Sequence, residues 1–263
     1  MKTIFKTESK LCKRIFLGFL LLSGLLQITH GLAQETAREN PYPLDEEKKI
    51  SGGVSTDFVS KYVWRGIPLS EGPAIQSAGW LSAYGAQILL WSNFDLAEET
   101  LNEVDLQASY TYEWNNLSIE PILLFYFLPH QDAPNTGEAG FKLSYALGPF
   151  RFITGHAFDF IEFGGAYFGA VGAGYQREFT DYFSLETSAG IGWANSQFNE
   201  AYFGVSQGAL NVFQWTLALT FSPGGHLFIT PHLKVSSILD GDLRGSVDKG
   251  TNVSGGFEAG LEF

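Results

Sequence analysis

From Ile50 onward the chain alternates apolar and polar residues with a period of two. In EVDLQASYTYEW, Val104, Leu106, Ala108, Tyr110, Tyr112 and Trp114 share one face, and Glu103, Asp105, Gln107, Ser109, Thr111 and Glu113 the other. EAGFKLSYAL sets Ala139, Phe141, Leu143, Tyr145 and Leu147 opposite Glu138, Lys142 and Ser144. YFSLETSAGIGW and NVFQWTLALTF repeat the rhythm, with Phe183, Leu185, Ala189, Ile191 and Trp193 in the first and Phe213, Trp215, Leu217, Leu219 and Phe221 in the second. A helix would scatter each set around its circumference, so the pattern predicts strands.

Short and long connections alternate between these strands. Tight turns are expected near Tyr84-Gly85, Asn115-Asn116, Gly148-Pro149, Thr180-Asp181 and Pro223-Gly224-Gly225. Longer polar or glycine-containing loops fall near 66–72, 97–102, 129–137, 161–164, 195–209 and 240–250. Between them lie about twelve segments: 50–65, 73–84, 86–95, 103–114, 117–128, 138–147, 150–160, 165–178, 182–194, 210–222, 226–238 and 251–263. This alternation is that of an outer-membrane barrel, with short periplasmic turns and long outer loops. The expected fold is therefore all-β, a transmembrane antiparallel up-and-down β-barrel of about twelve strands. FITGHAFDF and HLFITPHLKV alternate poorly, and Pro121 and Pro231 interrupt their runs.

Hydrocarbon offers no hydrogen-bond partner, so a sheet within it must leave no open edge. A secreted β-sandwich also alternates, but its outer faces are polar and its core aliphatic. Here the apolar face is rich in rings, as interfacial girdles require. Tyr62, Trp64, Trp114, Trp193 and Trp215 are accordingly assigned to the membrane interface. In the first strand, Phe58, Ser60, Tyr62 and Trp64 take the lipid parity, and Asp57, Lys61 and Arg65 the lumen parity. A cation facing lipid at mid-membrane would cost about 2–4 kcal/mol. The final GGFEAGLEF puts Phe257, Ala259, Leu261 and Phe263 on one face. Phe257, Leu261 and the terminal Phe263 resemble the signal by which the barrel-assembly machinery recognises its precursors.

The first residues change the compartment. Lys2, Lys6, Lys10, Lys13 and Arg14 precede the apolar IFLGFLLLSGLL, and GLA ends at Ala33. This order reads as a cleaved signal peptide over 1–33. An N-terminal anchor is the alternative, for which the apolar run is short against the roughly 20 residues a span needs. Residues 34–49, QETARENPYPLDEEKK, read as a mobile periplasmic tail, and 50–263 as the barrel. Cys12, the single cysteine, would leave with the signal, so no disulfide or cysteine metal ligand is expected. Removing the five bases and one acid of 1–33 takes the formal charge from −12 to −16. That excludes nucleic acid, whose phosphates need clustered bases. Glycine, at 30 of 263 residues, exceeds its usual share of about 7%.

Two segments resemble known families. SKYVWRGIPLSEGPAIQ, Ser60 to Gln76, is similar to the opening motif of the TorF-type porins, in which Tyr-x-x-Arg-Gly leads into a Ser-x-Gly-Pro-Ala loop. NEAYFGVS, Asn199 to Ser206, followed by GGFEAGLEF resembles the closing part of MipA/OmpV-like outer-membrane proteins. Both resemblances imply an exported outer-membrane barrel. The first implies a pore, and the second a scaffold between the membrane and cell-wall enzymes. Neither implies catalytic residues.

The lumen parity gathers Asp57, Lys61, Arg65, Asp105, Glu113, Glu120, Lys142, Arg151, Glu186, Lys234 and Glu258. Such a set either lines a polar path for small solutes or pairs across a narrow barrel and fills it. The histidines His130, His156, His226 and His232 show no hydrolase motif, so no catalytic residue is assigned. No metal-ligand spacing appears either. Glu98-Glu99 and Asp240-Gly241-Asp242 read as solvated loop acids or as loose divalent-cation ligands beside lipopolysaccharide. No cofactor is expected. The expected function is a narrow porin-like channel for small polar solutes. The alternative is a non-conducting scaffold for murein enzymes. Outer-membrane lipid, lipopolysaccharide, the assembly machinery and periplasmic envelope proteins are the implied partners.

Overall fold

The computed structural model describes residues 50–70, 72–223 and 226–263. The segments read as signal peptide and tail, residues 1–33 and 34–49, lie outside the described residues, as does Cys12. The chain forms β1 (Ile50–Val59), a small hairpin of β2 (Val63–Trp64) and β3 (Ile67–Pro68), β4 (Ala74–Ala83), β5 (Ala86–Asp95), β6 (Thr100–Tyr110) and β7 (Tyr112–Trp114). It continues with β8 (Leu117–Phe127), β9 (Thr136–Leu147), β10 (Phe150–Asp159), β11 (Tyr167–Thr180) and β12 (Phe183–Ala194). Helix α1 (Ser196–Phe203), β13 (Ala209–Phe221), β14 (Leu227–Ile238), helix α2 (Gly241–Gly245) and β15 (Thr251–Glu262) complete it.

All neighbours in the main sheet pair antiparallel. β1 pairs with β15, and β6 pairs with β8, which closes the sheet on itself. The sheet holds thirteen segments, but β6 and β7 continue one another, so the barrel has twelve strands. Both chain ends of the barrel and the tight turns at Tyr84-Gly85, Asn115-Asn116, Gly148-Pro149 and Thr180-Asp181 lie at one rim; Ile50 pairs with Ala83 beside the Tyr84-Gly85 turn. The β2–β3 hairpin and both helices lie at the other. The expected barrel, strand count and alternation of loops are all present.

The two prolines explain the irregularities. Pro121 has no N–H to give, and opposite it the ladder from β8 lapses between Ser109↔Ile122 and Tyr112↔Ile119, which splits β6 from β7. Thr111 instead donates to the Gly85 carbonyl at 2.7 Å. Near Pro231 the β13–β14 register likewise lapses between Ala218↔His232 and Phe221↔Ile229. Pairing on the opposite side of each proline, Pro121↔Phe141 and Pro231↔Phe257, is kept.

Burial follows strand parity. On β6, Glu103, Asp105 and Gln107 are buried while Leu106 and Tyr110 are exposed outward. Exposed Leu, Ile, Val and Phe form the outer face on every side, with Tyr84, Tyr112, Trp114 and Tyr182 at the tight-turn rim. Lipid covers such a face, and the polar residues are inside.

Depth then decides what a charge costs on that face. Leu106→Arg, midway along its strand, is expected to lower unfolding stability in lipid vesicles by about 2–4 kcal/mol, and Leu147→Arg at the rim by at most about 1 kcal/mol. Urea titration of the refolded barrels measures both.

Candidate functional site: a stoppered barrel interior

The first strand is shorter than its pattern suggests. It stops at Val59, where Ser60 bonds to Gly255 in both directions: its N–H donates to the Gly255 carbonyl at 2.8 Å, and its hydroxyl accepts from the Gly255 N–H at 3.0 Å. The chain then turns into the barrel mouth. Tyr62 and Ser70 staple the base of the β2–β3 hairpin, with the Tyr62 N–H on Ser70 Oγ at 2.8 Å and the Leu69 N–H on the Tyr62 carbonyl at 2.8 Å.

Its tip is Arg65-Gly66, at φ 42° and 91°. Positive φ at both central residues is what a two-residue turn of this hand requires. Gly66 is also packed tightly, since a Cβ there would meet Val212 at 3.0 Å and Ile238 at 3.1 Å. Its carbonyl accepts from Asn252 Nδ2 at 3.1 Å. The tip therefore crosses the mouth from β1 to β13, β14 and β15.

Arg65 is 2% exposed and makes the central contact. Its Nη2 lies 3.2 Å from Glu138 Oε2 and 3.3 Å from Oε1 on β9. Tyr126 Oη donates to the same carboxylate at 2.8 Å. The guanidinium carbon sits 4.1 Å from the ring centroids of Trp64 and Phe168 and 5.1 Å from that of Phe198. Nε and Nη1 have no hydrogen-bond partner; ring faces meet the cation instead, an interaction worth about 2 kcal/mol when desolvated. Burial pulls the guanidinium below its ordinary value and Glu138 pushes it back up, and arginine stays charged regardless.

The second half of the stopper is α1. Asn195 caps it, accepting from the Phe198 N–H at 3.0 Å, and Gly204 ends it at φ 67°. Between the caps, Phe198 and Tyr202 turn onto Trp64, with centroids 6.1 and 6.2 Å away. Asn199 is fully buried and pins the following loop, donating to the Gln207 carbonyl at 2.7 Å. Leu243 of α2 joins the same apolar cluster. The two motifs that resembled different families, YVWRG and NEAYFGVS, thus meet each other in the mouth.

Most of the expected lumen residues are inside. Asp57, Asp105, Glu120, Lys142, Glu186 and Glu258 are buried on strands, and Arg151 and Lys234 are half-buried on lumen-facing positions. Lys142 Nζ lies 2.6 Å from Glu120 Oε2, directly across the β8–β9 ladder. Asp57 meets His232 Nε2 at 2.9 Å. The gap between those two is open because residue 256 is glycine: a Cβ there would sit 2.3 Å from the His232 ring.

Several assignments are corrected. Tyr62, at 2% exposure, and Trp64, at 0%, face no lipid; they are core of the stopper, because strand parity ceases to apply once the chain turns inward after Val59. Arg65 is interior as expected but belongs to the hairpin tip. Lys61 lies on the turn after β1, outside the strand. Glu113 is exposed at the tight-turn rim, because β7 extends past the end of β5 and pairs only with β8. Trp114 is 65% exposed at that rim. Trp193 and Trp215 are partly exposed on outward positions; Trp215 lies midway along β13 rather than at an edge, its indole N–H satisfied by Thr187 Oγ1 at 3.1 Å. Phe257 and Leu261 are exposed outward on the strand that closes the barrel, and Phe263 is exposed just past its end.

Sequence reading missed Glu138 as the partner of Arg65, Tyr126 as the donor to Glu138, and His232 as the partner of Asp57. Even spacing along HLFITPHLKV is the signal that would have placed His232 beside Lys234. Asp240 caps α2, accepting from Asp242 N–H at 2.9 Å and Leu243 N–H at 3.1 Å, which accounts for one acid of Asp-Gly-Asp. Glu98 and Glu99 are exposed. Among the described residues no group of three or more potential ligands converges on a metal position.

The family model described as MltA-interacting protein MipA matches residues 51–237. Among solved structures, the NanC porin is similar at TM-score 0.50 and 13% identity, covering 81% of this chain and 98% of that one. The KdgM porin gives TM-score 0.42 and 11% identity over the same shares. None of the curated proteins matches in sequence. The NanC likeness carries the fold, an outer-membrane barrel.

Breaking a buried pair from one side strands the other charge, at about 3–5 kcal/mol, whereas replacing both partners does not. Arg65→Met or Glu138→Leu alone is therefore expected to destabilise the barrel by that amount. The double variant should recover about half or more of the single-variant loss, read by urea unfolding in a double-mutant cycle.

Proposed function

The chain belongs to the MltA-interacting protein MipA family, and we propose that it serves the outer membrane as a closed barrel holding a murein enzyme at its periplasmic side. The observation that carries this reading is the stopper. A channel needs a continuous polar path, and here Trp64, Arg65, Phe198 and Tyr202 fill the outer mouth. The Lys142–Glu120 ion pair and the Asp57–His232 contact occupy part of an interior that is already narrow at twelve strands. The family's description supplies the class of partner, a murein enzyme of MltA type. The tight-turn rim and both barrel ends would face the periplasm, where residues 34–49 would give the partner a polar, charged segment. Residues 1–33 would direct export, and Phe257, Leu261 and Phe263 would present the closing strand to the assembly machinery.

A second reading, a narrow porin-like channel for small polar solutes, is favoured by one feature. Below the stopper the wall is polar on the β6 and β15 sides, with Asp105, Glu258 and Ser254 buried there. In that reading the hairpin moves aside and solute passes the lumen residues, Lys142 and Arg151 among them.

Planar-bilayer recording separates the two. The refolded chain is expected to be silent, and Trp64→Ala combined with Arg65→Ala to give discrete conductance steps. Steps of stable size from the unaltered chain would establish the channel reading in its place. In nanodiscs, the unaltered barrel should retain an MltA-type murein enzyme, and failure to do so removes the scaffold.

A further inference from the structure

Below the stopper, one side of the lumen is nearly bare of side chains. Gly155, Gly172, Gly174, Gly190 and Gly192 face inward on β10–β12 and leave a recess of about 620 Å³ between atoms, part of it continuous with solvent. Phe168 and Val212 close its upper side. The wall is mainly apolar, so a hydrocarbon body would lie against it without losing hydrogen bonds.

Two polar side chains here are unsatisfied. Gln214 lines the recess, and its Nε2 is buried with no hydrogen-bond partner. Glu186 is the next inward residue below Ser188, which also lines it. Glu186 is 4% exposed, and neither of its carboxylate oxygens accepts a hydrogen bond. Other buried acids are answered: Glu138 by Arg65 and Tyr126, Glu120 by Lys142 and Asp57 by His232. Arg151 acts on Glu186 only through space. A buried carboxylate without hydrogen bonds is costly, and such a group in a folded protein calls for an explanation.

We propose that this recess binds a small organic cation, a primary ammonium on a short apolar body that carries a hydrogen-bond acceptor at its far end. The ammonium lies against Glu186 and supplies its missing donors. The acceptor receives a hydrogen bond from Gln214 Nε2, and the methylenes rest on the glycine wall. Spacing suits this. Gln214 pairs with Gly190, four residues along β12 from Glu186, about 13 Å at 3.3 Å each. Two long side chains reaching inward from those points leave room for a chain of about four carbons. Overall charge agrees, since among the described residues nine acidic side chains are buried against two basic ones, and half-buried Arg151 and Lys234 do not reverse the excess. The inference holds whether or not the barrel conducts, because a ligand needs access from one end only.

The test follows the Gln214 side-chain amide resonance of the full refolded chain in micelles. The probe is 4-amino-1-butanol, with 1,4-butanediol and 4-hydroxybutyrate as neutral and anionic counterparts. The amino alcohol is expected to shift the resonance saturably while the other two leave it in place. Glu186→Gln should raise Kd at least about tenfold, the loss of one charged hydrogen bond. Gly174→Leu offers a second variant, because a Cβ there meets only Ser188 Cβ at 3.7 Å and Thr187 O at 3.8 Å. Its side chain should fill the recess and abolish the shift in a barrel that still folds. Equal binding of the diol or the hydroxy acid by the unaltered chain overturns the proposal. So does an unchanged Kd in Glu186→Gln.

Discussion

Everything in this molecule depends on the absence of hydrogen-bond partners in hydrocarbon. A strand placed there must find a neighbour on both sides, so the twelve strands close, β15 on β1 and β6 on β8. Closure then fixes which residues see lipid and which do not, because successive side chains alternate across one wall. The outer face is apolar as a consequence. The interior holds what lipid would reject: Asp57, Asp105, Glu120, Glu186 and Glu258 among the acids, and Lys142 among the bases.

An interior built this way has no hydrophobic core of its own, and the protein supplies one at the mouth. The apolar cluster of Trp64, Ile67, Phe198, Tyr202 and Leu243 assembles from the first loop, the α1 loop and the α2 loop around Phe168 of β11, on a barrel that otherwise carries most of its apolar residues outside. Arg65 joins this cluster to the polar wall. Its guanidinium faces rings on one side and Glu138 on another, so the same residue belongs to both environments. The cost of ordering the hairpin is thereby offset through packing, which needs no matching register with the barrel strands.

The barrel was legible in the sequence wherever period two governed the chain. EVDLQASYTYEW gave a correct assignment of both faces on β6, and three tight turns, Tyr84-Gly85, Asn115-Asn116 and Gly148-Pro149, fell where glycine, proline and asparagine placed them. Pattern reading failed where the chain left the wall. DFVSKYVWRG continues the alternation past Val59, so Tyr62 and Trp64 read as lipid-facing although they are buried in the mouth. Nothing local distinguishes an aromatic packed in a stopper from one at a membrane interface, since both are large, ring-bearing and adjacent to polar residues. The distinction is made by Phe168 and Phe198, more than a hundred residues away. The partners of Arg65 and Asp57 were hidden for the same reason: Glu138 and His232 are neighbours through closure, not through sequence. The resemblance of NEAYFGVS to MipA/OmpV-like proteins agrees with the family match, whereas the TorF-like opening stays a resemblance that this structure interprets as a hairpin tip.

The central claim is that the first outer loop is part of the packed interior. Amide hydrogen exchange of residues 62–70 in lipid vesicles tests it most directly. Protection within about tenfold of that in the adjoining strands, residues 50–59 and 74–83, is the predicted result. Exchange at the rate of an unstructured peptide would contradict it, because a loop free in water cannot hold Arg65 against Glu138.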